Sequence, residues 1–193
     1  NDGKFNILWV GKFDIRKQLY IAIHTLYNLR NKFTDAEFAN IRLHIVGDGD
    51  QMKYRLLAQK LGVQDSIKWY GKVCHDDVQY LMRTHSILLF TSIAEGTPHV
   101  VLEAISNRLP VVCHNCCGHG DSVDSTIGVK IHLVSPEKSV ADFSDAIVDL
   151  YRHPERLEEM RRNCSVRAMA LSWDRKADRV LSLYEKAIRD NKH

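Results

Sequence analysis

Six short apolar runs, separated by amphipathic ones, leave this chain very few folds to choose from. "NILWVG" (6–11), "IRLHIVG" (41–47), "SIKWYG" (66–71), "ILLFTS" (87–92), "PVVCHN" (110–115) and "GVKIHLV" (128–134) are rich in β-branched and aromatic residues and end in turn formers, the marks of buried strands. Between them Leu19, Ala22, Ile23, Leu26 and Leu29 fall on one helical stripe, and helix-like segments run near 52–61, 76–84 and 98–107. Strand–helix–strand units joined by right-handed crossovers build a parallel sheet with helices on both faces. The spacing therefore predicts a doubly wound α/β domain with a six-stranded parallel sheet. From Pro136 the pattern is helical only. Pro154 opens one segment at a favourable first-turn position, and Ser172 is the expected N-cap of the last.

Composition narrows the function. With 193 residues, 45% hydrophobic and 26% charged, the chain can bury one substantial core as a single domain over 1–193. A net charge of +3, with acids and bases interspersed, argues against a nucleic-acid partner. No apolar run approaches the roughly 20 residues of a membrane-spanning helix. Five cysteines without a secretory pattern at the start fit a reducing, cytoplasmic compartment.

Ligands of such sheets bind beyond the carboxyl ends of the strands, which directs attention to the loops after Val10, Val46, Tyr70, Thr91 and His114. After the first strand, "GKFDIRKQ" brings Lys12, Arg16 and Lys17 together ahead of a helix. After the fourth, "EGTPHVVLE" places Pro98 in a first helical turn that Thr97 or Gly96 can cap, with the amides of His99 and Val100 pointing outward. A helix start of this kind attracts phosphate, and nearby lysines make it suited to a diphosphate. Glu103, about a turn and a half inside that helix, can accept hydrogen bonds from the vicinal hydroxyls of a ribose. Glu95, at the strand end, faces whatever lies beyond the phosphates. Phosphate, ribose and a further hydroxylated group together describe a nucleotide sugar.

Glu95 and Glu103, with seven residues between them and followed by "AISNRLPVV", resemble the E-x7-E motif of family-four retaining glycosyltransferases, which have the GT-B fold built from Rossmann-like domains. "WVGKFDIRKQ" resembles that family's glycine–basic–lysine loop, "LHIVGDGD" its second strand and turn, and "IKWYGKV" its base-binding strand. "CGHGDSV" resembles its glycine-rich segment, and "SWDRKADRVLSLYEKAI" its closing helix. The resemblance implies that Lys12 and Lys17 hold the donor diphosphate, with backbone contacts near Pro98, His99 and Val100. It implies that Glu103 holds the ribose, that Lys72 and Val73 meet the base, and that Glu95 approaches the donor sugar as the catalytic residue. It further implies metal-independent transfer from a UDP- or GDP-type sugar, with retained configuration and no cofactor, in polysaccharide or glycoconjugate biosynthesis. The chain would then be the donor-binding, C-terminal half of the enzyme. A sugar or lipid-linked acceptor would be bound mainly by an N-terminal domain absent from these residues, the fragment alone would be inactive, and the full enzyme could associate peripherally with the cytoplasmic membrane face.

Three positions depart from the family pattern: Lys12 replaces arginine, and Gln18 and Arg108 replace glycines. Two other classes fit less well. A GT-B-fold sugar-nucleotide epimerase does not call for the Glu95–Glu103 spacing, and a non-catalytic nucleotide-binding module has no need of Lys12, Lys17 and both acids together. "CHNCCGHG" offers cysteines and histidines, but a structural zinc takes two separated ligand pairs and no second pair appears. "GDGD" lacks the third glycine of a dinucleotide fingerprint and reads as a tight turn near the ligand. Trp9, Trp69 and Trp173 read as packing residues.

Overall fold

The computed structural model describes residues 3–190; residues 1, 2 and 191–193 of the expected domain lie outside it. Six strands form one wholly parallel sheet: β1 Phe5–Val10, β2 Ile41–Val46, β3 Ile67–Gly71, β4 Ile87–Phe90, β5 Val111–His114 and β6 Gly128–Ile131. Their spatial order is β3-β2-β1-β4-β5-β6. The helices are α1 Leu19–Lys32, α2 Asp35–Phe38, α3 Met52–Lys60, α4 His75–Thr84, α5 His99–Ser106, α6 Cys117–Ser122, α7 Pro136–Arg152, α8 Pro154–Ala170 and α9 Trp173–Asp190.

Side-chain alternation along the strands makes two cores. Ile7, Trp9, Leu43, Ile45, Ile87 and Leu89 pack on one face with α1, α3 and α7. Leu8, Val46, Leu88, Phe90, Val111 and Cys113 pack on the other with α4, α5 and Cys164 of α8. A strand repeat of two residues is why neighbours such as Leu8 and Trp9 serve different layers. Because the chain winds outward from β1 to β3 and then crosses back through α4 to β4, the strand order reverses between β1 and β4. A crevice at that reversal is where such sheets hold ligands.

Two short helices carry no periodic signal in the sequence. In α2, Thr34 and Glu37 form a reciprocal capping box that sustains a single turn. In α6, Gly118 and Gly120 oppose helix formation, yet a Cβ at Gly118 would lie 2.3 Å from the carbonyl oxygen of Gly96, so packing on the β4–α5 loop requires glycine there. The last strand ends at Ile131 rather than 134, leaving Leu133 and Val134 exposed. Ser172 caps α9 as expected, through a 3.3 Å bond from the Arg175 amide. Trp173 departs from its expected packing role: it is 80% exposed at the start of a helix whose Leu181, Leu183, Tyr184 and Ile188 are exposed too.

Candidate functional site

The β1 and β4 loops are clamped together at the strand reversal. Asp14 caps a single 3-10 turn, Ile15–Lys17, its Oδ1 accepting from the amides of Arg16 (2.9 Å) and Lys17 (3.2 Å). Gln18 then turns left-handed (φ 53°, ψ 43°), and its Nε2 donates to the Ile15 carbonyl at 2.6 Å. From β1, Trp9 Nε1 donates to Thr91 Oγ1 (3.0 Å), and Thr91 Oγ1 donates in turn to the Lys17 carbonyl (2.7 Å). The Ile93 amide donates to the Arg16 carbonyl at 2.9 Å. These bonds fix the backbone on both sides of the crevice before any ligand arrives.

The side chains inside the clamp are charged. Lys17 Nζ and Glu95 Oε1 form an ion pair, and Ser92 Oγ lies 2.7 Å from the same carboxylate oxygen. Ser92 Oγ is also 3.1 Å from the Arg16 carbonyl, but its one proton favours the nearer, charged acceptor. Burial pushes the Glu95 carboxyl up. Hydrogen bonds from Lys17 and Ser92, with the Lys17 charge, more than offset this and hold it below the ordinary carboxylate range. Lys17 also lies over the Phe90 ring, 5.4 Å from its centroid. An ammonium has three N–H donors, so Lys17 keeps capacity for a second anionic partner.

His119 of α6 sits beneath this pair, fully buried against the Phe90 ring (centroids 5.1 Å apart). Burial, then repulsion from His114, pushes its imidazole down to about 4 against the pull of Glu95. It is therefore neutral at neutral pH. Its Nε2 contacts Cys116 Sγ at 3.4 Å, and its buried Nδ1 has no partner among the described residues. His114 is also held neutral by burial, and bonds the Ser92 carbonyl (3.3 Å) and Ser139 Oγ (3.0 Å).

The α5 start differs in detail from expectation. Pro98 occupies the N-cap position, one residue before the helix, and neither Thr97 nor Gly96 supplies a side-chain cap. The His99 amide bonds back to the Thr97 carbonyl at 3.0 Å, because Pro98 at φ −82°, ψ 73° closes a three-residue turn. Farther along α5, half-buried Glu103 receives Gln79 Nε2 of α4 at 3.4 Å, and Gln79 is itself held by Asn107.

Lys12 is exposed, and among the described residues its side chain makes no hydrogen bond or ion pair, so only Lys17 of the two lysines is drawn to Glu95. Lys72 is exposed and Val73 half-buried in the turn after β3, beside the α4 that carries Gln79. The "GDGD" turn packs tightly on the β1 loop: a Cβ at Gly47 would lie 1.7 Å from the Gly11 carbonyl oxygen. In "CHNCCGHG", β5 sends Cys113 and His114 to opposite layers, and among the described residues no group of three or more metal-ligating side chains is placed to hold an ion. Sequence reading missed Asp14, Ser92 and His119 as parts of the site. Ser92 alone left a trace, as a hydroxyl at the end of a strand aimed at the crevice.

The site invites comparison with known proteins. The chain is 24% identical over 187 residues to D-inositol 3-phosphate glycosyltransferase of Arthrobacter sp. (strain FB24), covering 96% of this chain and 44% of the relative. It is 33% identical over 126 residues to the lipopolysaccharide glucosyltransferase WaaG of Escherichia coli (strain K12), covering 65% of this chain and 32% of that one. The chain thus spans less than half the length of these curated relatives. The crystal structure of WaaG, a glycosyltransferase involved in lipopolysaccharide biosynthesis, superposes with a TM-score of 0.76 at 24% identity, over 89% of this chain and 44% of that one, which shows a shared fold. The family model described as glycosyl transferases group 1 matches residues 1–167, and the chain belongs to that family.

Proposed function

We propose that this domain binds a nucleotide-diphosphate sugar and presents it for transfer to an acceptor with retained configuration. The observation that carries the reading is the Lys17–Glu95 pair at the strand reversal, with Ser92 on the same carboxylate. Lys17 offers its remaining donors to the diphosphate, together with the amide of Val100 at the start of α5. Lys12, free to swing from the loop rim, adds a point charge where arginine would give a two-pronged contact. Glu103 accepts the ribose hydroxyls, and the turn at Lys72 and Val73 borders the base.

Glu95, on the sugar side of the pair, orients sugar hydroxyls and stabilises the positive charge that develops at the anomeric carbon. Its carboxylate is already ionised and hydrogen-bonded, so little reorganisation is needed as that charge appears. Negative charge on the departing diphosphate is met by Lys17 and the helix start, and none of these roles calls for a metal. The acceptor is a sugar or lipid-linked sugar held mainly by a second domain, a reading that the coverage of less than half of the curated relatives supports, and the enzyme works in the cytoplasm. No described helix is long and apolar enough to cross a membrane.

The test is calorimetric titration of the chain with UDP-, GDP- and ADP-sugars and their nucleoside diphosphates, followed by Lys17→Ala. Losing a charged hydrogen bond of this kind costs about 1.5–3 kcal/mol. Affinity should fall by the corresponding factor, and an unchanged affinity in both Lys12→Ala and Lys17→Ala would remove the diphosphate assignment.

A further inference from the structure

The loop entering α6 carries two consecutive cysteines whose thiols converge. Cys116 Sγ lies 4.0 Å, and Cys117 Sγ 3.6 Å, from the same carbonyl oxygen of Ile93. Cys117 is exposed and left-handed (φ 53°), whereas Cys116 is half-buried against His119. The next residue, Gly118, is wedged against Gly96, the neighbour of Glu95, with no room for so much as a methyl group.

We propose that Cys116 and Cys117 form a peroxide-sensitive dithiol, and that its closure to a vicinal disulfide pulls the α6 start away from the loop that carries Glu95.

Cys117, the accessible sulfur, attacks the peroxide O–O bond, giving a sulfenic acid and water. Cys116 then attacks the Cys117 sulfur, forming the S–S bond and expelling hydroxide, which leaves as a second water once it takes up the Cys116 proton. Two thiols have lost two electrons to one peroxide. Burial pushes the Cys116 thiol up to about 11 and the His119 imidazole, 3.4 Å away, down to about 4, so the proton passes to the departing hydroxide as the S–S bond forms. The intervening peptide is trans, which holds the two Cα atoms about 3.8 Å apart, below the ordinary disulfide range of about 4.4–6.8 Å. That spacing cannot lengthen, so closure has to twist the backbone torsions on either side of the peptide, and the strained bridge is readily reduced, as suits a reversible modification. Gly118 has no slack, so the movement reaches Gly96. The bridge stands independently of the donor-binding reading; that it would gate donor binding rests on that reading.

The experiment treats the whole chain with dilute hydrogen peroxide and maps the tryptic peptide 109–130. The expected result is loss of two hydrogens and two free thiols in wild type and in Cys113→Ala, reversal by dithiothreitol, and no such loss in Cys116→Ser or Cys117→Ser. Phenylarsine oxide, which captures adjacent thiols as a cyclic dithioarsinite with release of water, should label the untreated wild type on this peptide and so tests proximity without a variant. Amide exchange over 93–99 should be at least ~3-fold faster in the oxidised chain, the sign of a locally loosened loop. A bridge that persists in either serine variant, overoxidation of Cys117 with no bridge, failure of the arsenical to label, or unchanged exchange over 93–99 would each overturn the proposal.

Discussion

Glu95 and Glu103 lie eight residues apart in surroundings of opposite kind. Glu95 is clamped: an ammonium and a hydroxyl converge on one of its oxygens, and a buried neutral imidazole lies beneath. Glu103 receives a neutral amide at 3.4 Å, and among the described residues no cation forms an ion pair with it. A clamped carboxylate has a fixed position and a fixed charge, which suits electrostatic work on a reacting centre. A loosely held one keeps its accepting capacity for incoming hydroxyl groups, which suits recognition.

The largest effect expected from this difference is in acid. His119 has a folded-state value of about 4, below its unfolded value near 6.5, so between those pH values the unfolded chain binds a proton that the folded chain refuses. Stability should fall as pH drops from 6.5 to 4, by on the order of 2–3 kcal/mol from this group. Glu95, depressed in the folded state, adds a loss only at lower pH still, as it is protonated. Chemical denaturation across this range should show a shallower slope in His119→Gln than in wild type; equal slopes would mean that the junction does not titrate as described.

Next in size is Glu95→Gln. In the intact enzyme kcat should drop by about 10²-fold, the scale of a lost electrostatic contact to the transition state. Affinity for the bare nucleoside diphosphate, which lacks the sugar, should hardly move. Normal turnover, or collapse of the bare-nucleotide affinity, would make Glu95 a structural residue rather than one that acts on the sugar.

Glu103 is probed by comparing a nucleoside diphosphate with its 2′,3′-dideoxy analogue. Wild type should prefer the ribose by roughly 10-fold, about one charged hydrogen bond, and Glu103→Gln should lose most of that preference. A wild type without the preference, or a variant that keeps it, would dissolve the contrast between the two acids.

The smallest effect lies away from both. Arg108 is left-handed at φ 59°, where a side chain costs about 1–2 kcal/mol. Glycine relieves that strain but loses about 0.5–1 kcal/mol of its own to chain entropy. Arg108→Gly should therefore raise the melting temperature by about 1–3 °C, without altering nucleotide affinity. Nothing in the structure explains why arginine is kept there.

Much of the site's location was legible, because strand ends announce themselves. The runs around Val10 and Thr91 show where two loops leave the sheet, and the parallel architecture says which edge they leave from. Lys17 and Glu95 could be named on that basis. Ser92 and His119 could not, because a hydroxyl and an imidazole are ordinary residues until a neighbouring carboxylate is placed beside them. The α5 start was misjudged by one residue because the conformation of Pro98 depends on how the loop before it packs. Trp173 was misjudged because an amphipathic pattern shows that a helix has an apolar side, not how far that side is buried.

The sequence by itself determined the layers, the order of strands and helices, and the sheet edge at which the candidate site is sought. These follow from periodicities of two and 3.6 residues, which act over a few neighbours and need no knowledge of the rest of the chain. Only the tertiary structure decided that Lys17 meets Glu95 across 78 residues, that His119 lies beneath them, and that Gly118 must be glycine because Gly96 is there. It also decided that Gln18, Arg108 and Cys117 adopt left-handed backbones. Each of these depends on the crossover that sets β4 beside β1, and so on the packing of segments far apart in the chain, which no local pattern encodes.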